Sequence, residues 1–230
     1  MEDKEIWDKV WSGNVRAKYP NTIVVNTILN LKIKDSLELG AGTGNDIIEL
    51  HKKGIDITFS DNSLVAINEF RKRTQNKIKT INLDVLKKFP YKDCSFDLVY
   101  SLGLLEHFDK NQRGHIIREM FRVSRKYVLI DVPQRYSFLT IIKKTLMFLG
   151  RWKYGWETEF SYGQLVREVN SMVCCSVLSK YGRGFLPLPR TFKERFSNNL
   201  IEKKFNNFYV ILQKKTILGL FNSIGVVFEK

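Results

Sequence analysis

In the run Glu38-Leu39-Gly40-Ala41-Gly42-Thr43-Gly44-Asn45, three glycines at every second position separate a predicted strand from a predicted helix. Glycine lets the backbone turn tightly at such a junction and lets a ligand approach without interference from a Cβ atom. The first turn of the helix also presents backbone N–H groups that have no partner within the helix. The run therefore predicts a ligand site at the carboxyl end of the first strand; the alternative is a tight turn that binds nothing.

Two acidic residues follow the next two predicted strands. Asp61 lies 21 positions after Gly40, at the end of the second strand, where a carboxylate can accept hydrogen bonds from both hydroxyls of a ribose. Asp84 follows the third strand, where it can accept from the amine of an adenine while Val85 packs on the ring. The structural alternatives are a turn before Ser63 for Asp61 and a surface loop for Asp84.

A nicotinamide-dinucleotide fold is the main alternative for this pattern. Its fingerprint, Gly-x-Gly-x-x-Gly, requires glycine at position 45, where this chain has Asn45 and places its third glycine at Gly44. Glu38 also stands just before the loop, where a dinucleotide-binding strand is usually apolar. The sequence therefore disfavours a nicotinamide cofactor.

Short apolar runs alternate with helical segments, which is typical of βαβ units and a parallel sheet. Helices are predicted from Asn45, from near Ser63 and over about 111–123. After Pro133 the pattern changes, and residues 134–160 become rich in aromatic and basic side chains. The predicted strands are 36–39, 55–60, 78–83, 96–100 and 126–130, followed by a helix at 162–170 and strands at 173–179 and 207–212; the tail 216–230 receives no assignment.

The composition fits one soluble domain of 230 residues. The formal charge of +14 favours an anionic partner such as nucleic acid, an acidic lipid surface or a phosphorylated metabolite, although basic residues spread over an ordinary surface give the same number. Three cysteines without a Cys-x-x-Cys pair predict no zinc site. No apolar stretch is long enough for a membrane span and the first residues do not read as a signal peptide, so we expect a cytoplasmic location.

The chain resembles the class I S-adenosylmethionine-dependent methyltransferases, particularly the broad group related to quinone-biosynthesis C-methyltransferases. The resemblance covers about residues 35–135 and is specific for fold and cofactor rather than for the methyl acceptor. Its motifs, in chain order, are Leu37–Gly44, Ser60–Ser63, Leu83-Asp84, Phe89–Val99 and Leu105–Phe108.

The resemblance implies an α/β fold with a doubly wound, mostly parallel seven-stranded sheet, an antiparallel C-terminal hairpin and a lid insertion. It implies S-adenosylmethionine as the cofactor. The expected organisation is a single methyltransferase domain over 1–230, with an N-terminal helical cap at 1–34, a cofactor-binding core at 35–133, a lid or substrate insertion at 134–160, and a C-terminal helix with hairpin strands at 161–230.

The resemblance also implies which residues hold the cofactor. The loop at its methionine part contains Gly40, Ala41, Gly42 and Gly44, supported by Glu38; Asp61, with Asn62 beside it, meets the ribose; Asp84 and Val85 face the adenine; Ser101 and Leu102 line the methionine and methyl end.

Some related O-methyltransferases bind a divalent metal through Glu-x-x-Glu-His. Here the first glutamate position is Gly103, so no metal site is predicted at Glu106-His107. His107 can still act as a general base, because the ordinary pKa of histidine lies near neutrality. The alternative is a residue that merely begins a helix.

Three functions remain open on the sequence: methyl transfer to a small-molecule or lipid-like acceptor, methyl transfer to RNA, and a cofactor-binding scaffold without turnover. The insertion has apolar residues at near-helical spacing that can touch a membrane or a long apolar substrate, or pack on the core. Arg71–Arg73 and Arg122–Lys126 favour RNA, but no RNA-binding module is recognisable. An anionic acceptor is a further expectation, with its head group met by basic residues of the insertion: Arg135, Lys143, Lys144, Arg151 and Lys153.

Overall fold

The structure is a computed structural model that describes residues 2–12, 20–150, 157–185 and 221–230. Helices and strands alternate along most of the chain. The helices are α1 Glu2–Ser12, α2 Thr22–Asn30, α3 Asn45–Lys52, α4 Leu64–Thr74, α5 Lys110–Val123, α6 Phe138–Phe148 and α7 Tyr162–Asn170, with a 3₁₀ turn at Leu105–His107. The strands are β1 Asp35–Leu39, β2 Asp56–Asp61, β3 Lys79–Asn82, β4 Phe96–Leu102, β5 Ser124–Pro133, β6 Ser176–Phe185 and β7 Phe221–Glu229.

The strands form one seven-stranded sheet in the order β3-β2-β1-β4-β5-β7-β6. Strands β1 to β5 pair in parallel, whereas β7 lies antiparallel between β5 and β6. This arrangement confirms the predicted fold class. The chain winds outward in one direction through β1–β3 and in the other through β4–β5, so the crevice between the ends of β1 and β4 is the expected ligand position.

The sheet is covered on both faces, which explains why its central strands read as continuous apolar runs. In β4, Leu98 and Tyr100 pack into the core layer on one face, while Val99 packs into the layer on the other. This alternation follows from the pleat, which turns successive side chains to opposite faces.

Side-chain caps begin the helices near where the sequence predicted. The Ser63 hydroxyl accepts from the Ala66 N–H at 3.2 Å and begins α4. Ser161 and Gln164 form a capping box at the start of α7, which spans the predicted residues 162–170. The predicted helix over 111–123 is also confirmed, one residue longer at its start.

The C-terminal hairpin differs from the prediction. β6 runs to residue 185 instead of ending at 179, and its partner β7 lies at 221–229, in the tail that received no assignment. The predicted strand 207–212 lies outside the described residues. Because β7 is buried from Ser223 to Phe228, it shows no polar alternation that would identify a strand from the sequence.

The insertion at 134–160 contains α6, and its two ends are joined to each other. The Arg135 N–H donates to the Phe160 carbonyl at 2.9 Å, and the Phe160 N–H donates to the Pro133 carbonyl at 3.0 Å. Its residues 151–156, with Arg151, Trp152, Lys153, Tyr154 and Trp156, lie outside the described part of the chain. Within the described residues, no helix has the length and apolarity needed to cross a membrane.

The prediction that Lys143 meets an anionic acceptor is wrong. Lys143 is buried, and its Nζ lies 3.1 Å from a Glu157 carboxylate oxygen and 2.7 Å from one of Glu159. Both glutamates lie at the end of the insertion, so Lys143 joins α6 to that end. Because it is already paired, it is not available to a ligand.

Candidate functional site

A cavity of about 1150 Å³ opens at the carboxyl ends of β1, β2 and β4, at the predicted switch point. Most of the predicted site residues meet there. The cavity is lined by Glu38, Gly40, Ala41, Gly42, Gly44, Asp61, Asn62, Asp84, Val85, Leu102 and His107 from that prediction.

The glycine loop adopts a backbone conformation that favours glycine, and its close packing leaves no room for a Cβ atom at two positions. Gly42 has φ +52° and Gly44 has φ +60°, both in the left-handed region. A Cβ atom at Gly42 would lie 2.6 Å from the Trp11 ring, and one at Gly44 would lie 2.4 Å from the Phe70 ring. The loop is therefore packed against α1 on one side and α4 on the other.

Asp61 holds this loop to the end of β2. One carboxylate oxygen accepts from the Gly42 N–H at 2.9 Å and the other from the Ser63 N–H at 2.8 Å. Burial raises the pKa of Asp61, and these backbone donors partly offset the rise. Asp61 therefore makes the turn before Ser63 that the sequence analysis gave as the structural alternative. It also lines the cavity.

Glu38 brings a buried carboxylate to the cavity wall. It is 3 % exposed, and its Oε2 has no hydrogen-bond partner among the described residues. Burial, and then the nearby Asp46 and Asp61 carboxylates, raise the pKa of Glu38 well above its usual range. A ligand that carries a cationic group would supply the missing partner, and the ammonium of S-adenosylmethionine is such a group, so the residues present fit that cofactor.

The opposite end of the cavity is formed after β3. Asp84 accepts from the Leu86 N–H at 3.0 Å and lies 3.4 Å from Lys87, while one-third of its side chain stays exposed. Val85 is buried beside it. The carboxylate therefore has room for a further donor, as the adenine prediction requires.

Ser101 is the predicted site residue that the structure does not bring to the cavity. It lies inside β4, paired with Leu39 of β1 and Ile130 of β5, and is fully buried. Leu102, the next residue, does line the cavity. The difference follows from the pleat, because only one of two successive strand residues can face the same side.

Helix α1 covers the cavity; the sequence analysis expected a helical cap at 1–34 but named none of its residues for the site. Trp7 and Trp11 line it and stack on each other with ring centroids 5.9 Å apart. The Trp7 ring meets the His107 ring edge-on at 5.0 Å, and Asp8 accepts from the Ser63 hydroxyl. The signal in the sequence is two tryptophans four residues apart on one helix face.

Arg183 is a second residue that the sequence analysis missed, because β6 was predicted to end before it. It lines the cavity and donates to both carboxylate oxygens of the fully buried Asp131 and to the Ser223 hydroxyl. Arg183 is the one Lys or Arg among the described lining residues. The lining carboxylates are Glu5, Asp8, Glu38, Asp46, Asp61, Asp84 and Glu157, so the cavity is acidic although the chain is basic.

Glu106 lies behind the cavity wall rather than in it. It is 4 % exposed, and its Oε2 has no hydrogen-bond partner among the described residues. Burial raises the pKa of Glu106 to about 8, and the Glu157 and Asp131 carboxylates add to the rise. Within the described ranges, no group of three or more His, Cys, Asp or Glu side chains could hold a metal.

Comparison with known proteins shows what the chain is similar to. A family profile described as a methyltransferase domain matches residues 37–127. The chain is 26% identical over 142 residues to the chloroplastic magnesium protoporphyrin IX methyltransferase of Arabidopsis thaliana, covering 57% of this chain and 44% of that protein. The chain thus spans less than half the length of this curated relative.

Solved structures share the fold. A S-adenosylmethionine-dependent methyltransferase of Thermotoga maritima, described as a possible histamine N-methyltransferase, superposes with a TM-score of 0.68 at 15% identity over 98% of this chain and 99% of its own. The magnesium protoporphyrin IX methyltransferase of Synechocystis, with bound SAH, gives a TM-score of 0.62 at 13% identity over 100% and 85%. The chain therefore contains a methyltransferase domain over residues 37–127 and shares its fold with S-adenosylmethionine-dependent methyltransferases.

Proposed function

We propose that the chain transfers the methyl group of S-adenosylmethionine to a small-molecule or lipid-like acceptor held in this cavity. One observation carries the proposal: Glu38, Asp61 and Asp84 line a single cavity of the class I fold, at the ends of three successive parallel strands. Carboxylates at these places suit, in order, the amino group, the ribose hydroxyls and the adenine amine of the cofactor.

The residues of the chain act mainly by positioning. When bound, S-adenosylmethionine supplies a methyl group already activated on a sulfonium. Glu38, Asp61 and Asp84 hold the cofactor, Val85 packs on its adenine, and Leu102 borders the reacting end. Holding two reactants in line can lower a barrier by about 7–11 kcal/mol, so the chain needs no bound metal for this chemistry.

His107 is the proposed base. Its ring lies in the cavity wall against Trp7, and imidazole can accept a proton near neutral pH. In this proposal it takes the proton that an O–H or N–H acceptor loses as the new bond to carbon forms. Trp7 and Trp11 exclude water from the same end of the cavity.

The acidic lining bears on the class of acceptor. Seven carboxylates face the cavity against Arg183, which Asp131 already neutralises in part. A neutral or cationic acceptor suits this field better than an anionic one. The relatives from Arabidopsis thaliana and Synechocystis are magnesium protoporphyrin IX methyltransferases, and they support a small-molecule acceptor.

RNA is the less favoured acceptor. In the basic stretch 122–126, Arg122 is paired with Glu119 and Asp93, and Arg125 is paired with Asp35 and Asp97. These guanidinium groups stabilise the fold and are not free to bind a phosphate backbone. The cavity lining would also repel that backbone.

A transfer screen tests the proposal. The full chain is incubated with radiolabelled S-adenosylmethionine and with separate metabolite, lipid and RNA pools, each with and without a chelator. We expect label in the metabolite or lipid fraction, unchanged by the chelator, and less label with Asp61→Ala when the cofactor is kept below saturation. Label found in RNA alone would contradict the proposed acceptor class, and no label in any pool would favour the scaffold hypothesis.

A further inference from the structure

Helix α6 exposes several apolar side chains and buries two polar ones, which is unusual for a surface helix. On its solvent side, Ile142 is 37 % exposed and Leu149, just past its end, is 55 % exposed, while Phe148 is 91 % exposed. On its inner side, Thr140 and Lys143 are buried. Tyr136, just before the helix, is also exposed.

The inner face explains why the helix cannot simply rotate. The Thr140 hydroxyl donates to the Gln134 carbonyl at 2.6 Å, and Lys143 is clamped between Glu157 and Glu159. Removing Lys143 would leave two carboxylates that are only 9 % and 13 % exposed without this partner, which is costly. The outward position of the apolar side chains is therefore fixed by polar contacts on the opposite side.

The charge of this segment is complementary to an anionic surface. In its described part, residues 134–150, the segment contains Arg135, Lys143 and Lys144 and no Asp or Glu, and of these Lys143 is paired with Glu157 and Glu159. Lys144 is exposed on α6 and lies one turn from Phe148. Apolar side chains flanked by basic ones are the pattern of a helix that lies in the plane of a bilayer interface.

We propose that α6 is a docking surface for an anionic lipid bilayer, with Ile142, Phe148 and Leu149 entering the interface and Lys144 meeting lipid head groups. The placement also ties the surface to the site. Glu157 contacts Lys143 of α6 and lines the cavity, and α6 follows the carboxyl end of β5, the edge at which the cavity opens. The cavity then faces the bilayer region from which an apolar acceptor would enter.

Flotation of the full chain with lipid vesicles tests the inference. One vesicle type contains equal parts of phosphatidylglycerol and phosphatidylcholine, and the other contains phosphatidylcholine alone. We expect binding to the first and at least about tenfold weaker binding to the second, because head-group charge adds to apolar insertion. A Phe148→Ser/Leu149→Ser variant is expected to lose at least about tenfold in affinity for the anionic vesicles.

Leu178→Ser is the matched control, because Leu178 is 46 % exposed on β6, outside this surface. It is expected to bind like the parent chain, and circular dichroism checks that all variants are folded. The inference is overturned if the parent chain does not float with anionic vesicles, or if the double variant floats equally well. It is also overturned if the parent is a dimer in sedimentation that the double variant abolishes, since the surface then covers a second copy.

Discussion

At the scale of single residues, the Asp61 carboxylate serves both the backbone of its own loop and, in our proposal, the cofactor. It already accepts from the Gly42 and Ser63 N–H groups, and we propose that it also accepts from the cofactor ribose. Asp61→Ala is therefore expected to weaken binding of S-adenosylhomocysteine, the demethylated cofactor, by on the order of 1.5–3 kcal/mol, since a charge-assisted hydrogen bond and a loop contact are lost together. Isothermal titration calorimetry measures this change.

Ser63→Ala is the control for that measurement. It removes the cap of α4 but keeps the backbone N–H that donates to Asp61. We expect the control to bind the cofactor within about threefold of the parent. An unchanged dissociation constant in folded Asp61→Ala would show that Asp61 only shapes the turn.

Glu106 predicts a dependence of stability on pH. In the folded chain it keeps its proton up to about pH 8, whereas a free glutamate has the ordinary pKa of 4.5. The folded chain therefore binds more protons between these values, and the stability from this residue, complete below about pH 4.5, is lost as the pH rises through about 8. Glu106→Gln, which cannot ionise, is expected to gain stability relative to the parent as the pH rises from 5 to 9.

Thermal unfolding at pH 5, 7 and 9 checks this prediction. A gain of about 1 kcal/mol would raise Tm by about 2–4 °C in a chain of this length. Glu69→Gln is the control, because Glu69 is exposed on α4 and its substitution is expected to leave the difference from the parent flat across pH. A Tm difference between Glu106→Gln and the parent that stays flat from pH 5 to 9 would contradict this prediction, because it would show that the pKa of the folded carboxyl is not raised.

Site residues could be predicted from the sequence where they belong to one local run. Glu38 and the glycines are adjacent, and Asp61 and Asp84 each end a strand that the pattern locates. Trp11 and Arg183 could not be predicted, because their place at the cavity depends on how α1 and β6 pack against distant parts of the chain.

At the scale of elements, α1 acts as a cover over the glycine loop. The Trp11 ring lies where a Cβ of Gly42 would be, so the helix closes the cavity by direct contact with the loop. Trp11→Ala is expected to speed dissociation of S-adenosylhomocysteine several-fold, because it opens this contact to solvent. Stopped-flow displacement measures the rate, with exposed Lys9→Ala on the same helix as the control. Equal dissociation rates in Trp11→Ala and Lys9→Ala would contradict a covering role.

The insertion is a second element with a separable role. Replacing residues 138–155 by a short linker keeps the Arg135–Phe160 pairing, and Glu157→Gln and Glu159→Gln are added because the excision removes their partner Lys143. We expect cofactor affinity to stay within about threefold and methyl transfer to be lost, since a segment after a parallel strand's carboxyl end borders the ligand crevice.

The control for the excised chain carries the two glutamine substitutions alone. Transfer is measured with the acceptor that the screen identifies, and circular dichroism checks folding. Transfer at the control rate by the excised chain would place the acceptor elsewhere in the cavity, with Trp7 and Trp11 as the next residues to test.

The parallel strands β1 to β5 could be predicted because each is a short apolar run followed by residues that favour a turn. Strands β1 to β5 all begin and end within a few residues of their predicted positions. The hairpin was not predictable in the same way. β7 is covered on both faces, and Tyr181 packs against Gly225 within it, so its run of apolar and small residues resembles a buried helix segment as much as a strand.

At the scale of the whole molecule, net charge and site charge have opposite signs. The chain carries +14, whereas the charged residues that line its cavity are mostly acidic. The net charge can be read from the sequence, but the charge of the cavity cannot. The positive net charge led to the expectation of an anionic acceptor. Folding places basic residues in surface ion pairs and on α6, and gathers seven acidic residues around the cavity that we propose for a cationic cofactor.

Titration calorimetry of the full chain with S-adenosylmethionine, S-adenosylhomocysteine and NADH tests the central claim most directly. The cavity of Glu38, Asp61 and Asp84 is expected to bind S-adenosylmethionine and S-adenosylhomocysteine with one site per chain and to show no heat with NADH. Saturable binding of NADH together with no binding of either adenosyl compound would contradict the assignment of the cofactor and, with it, the proposed methyl transfer.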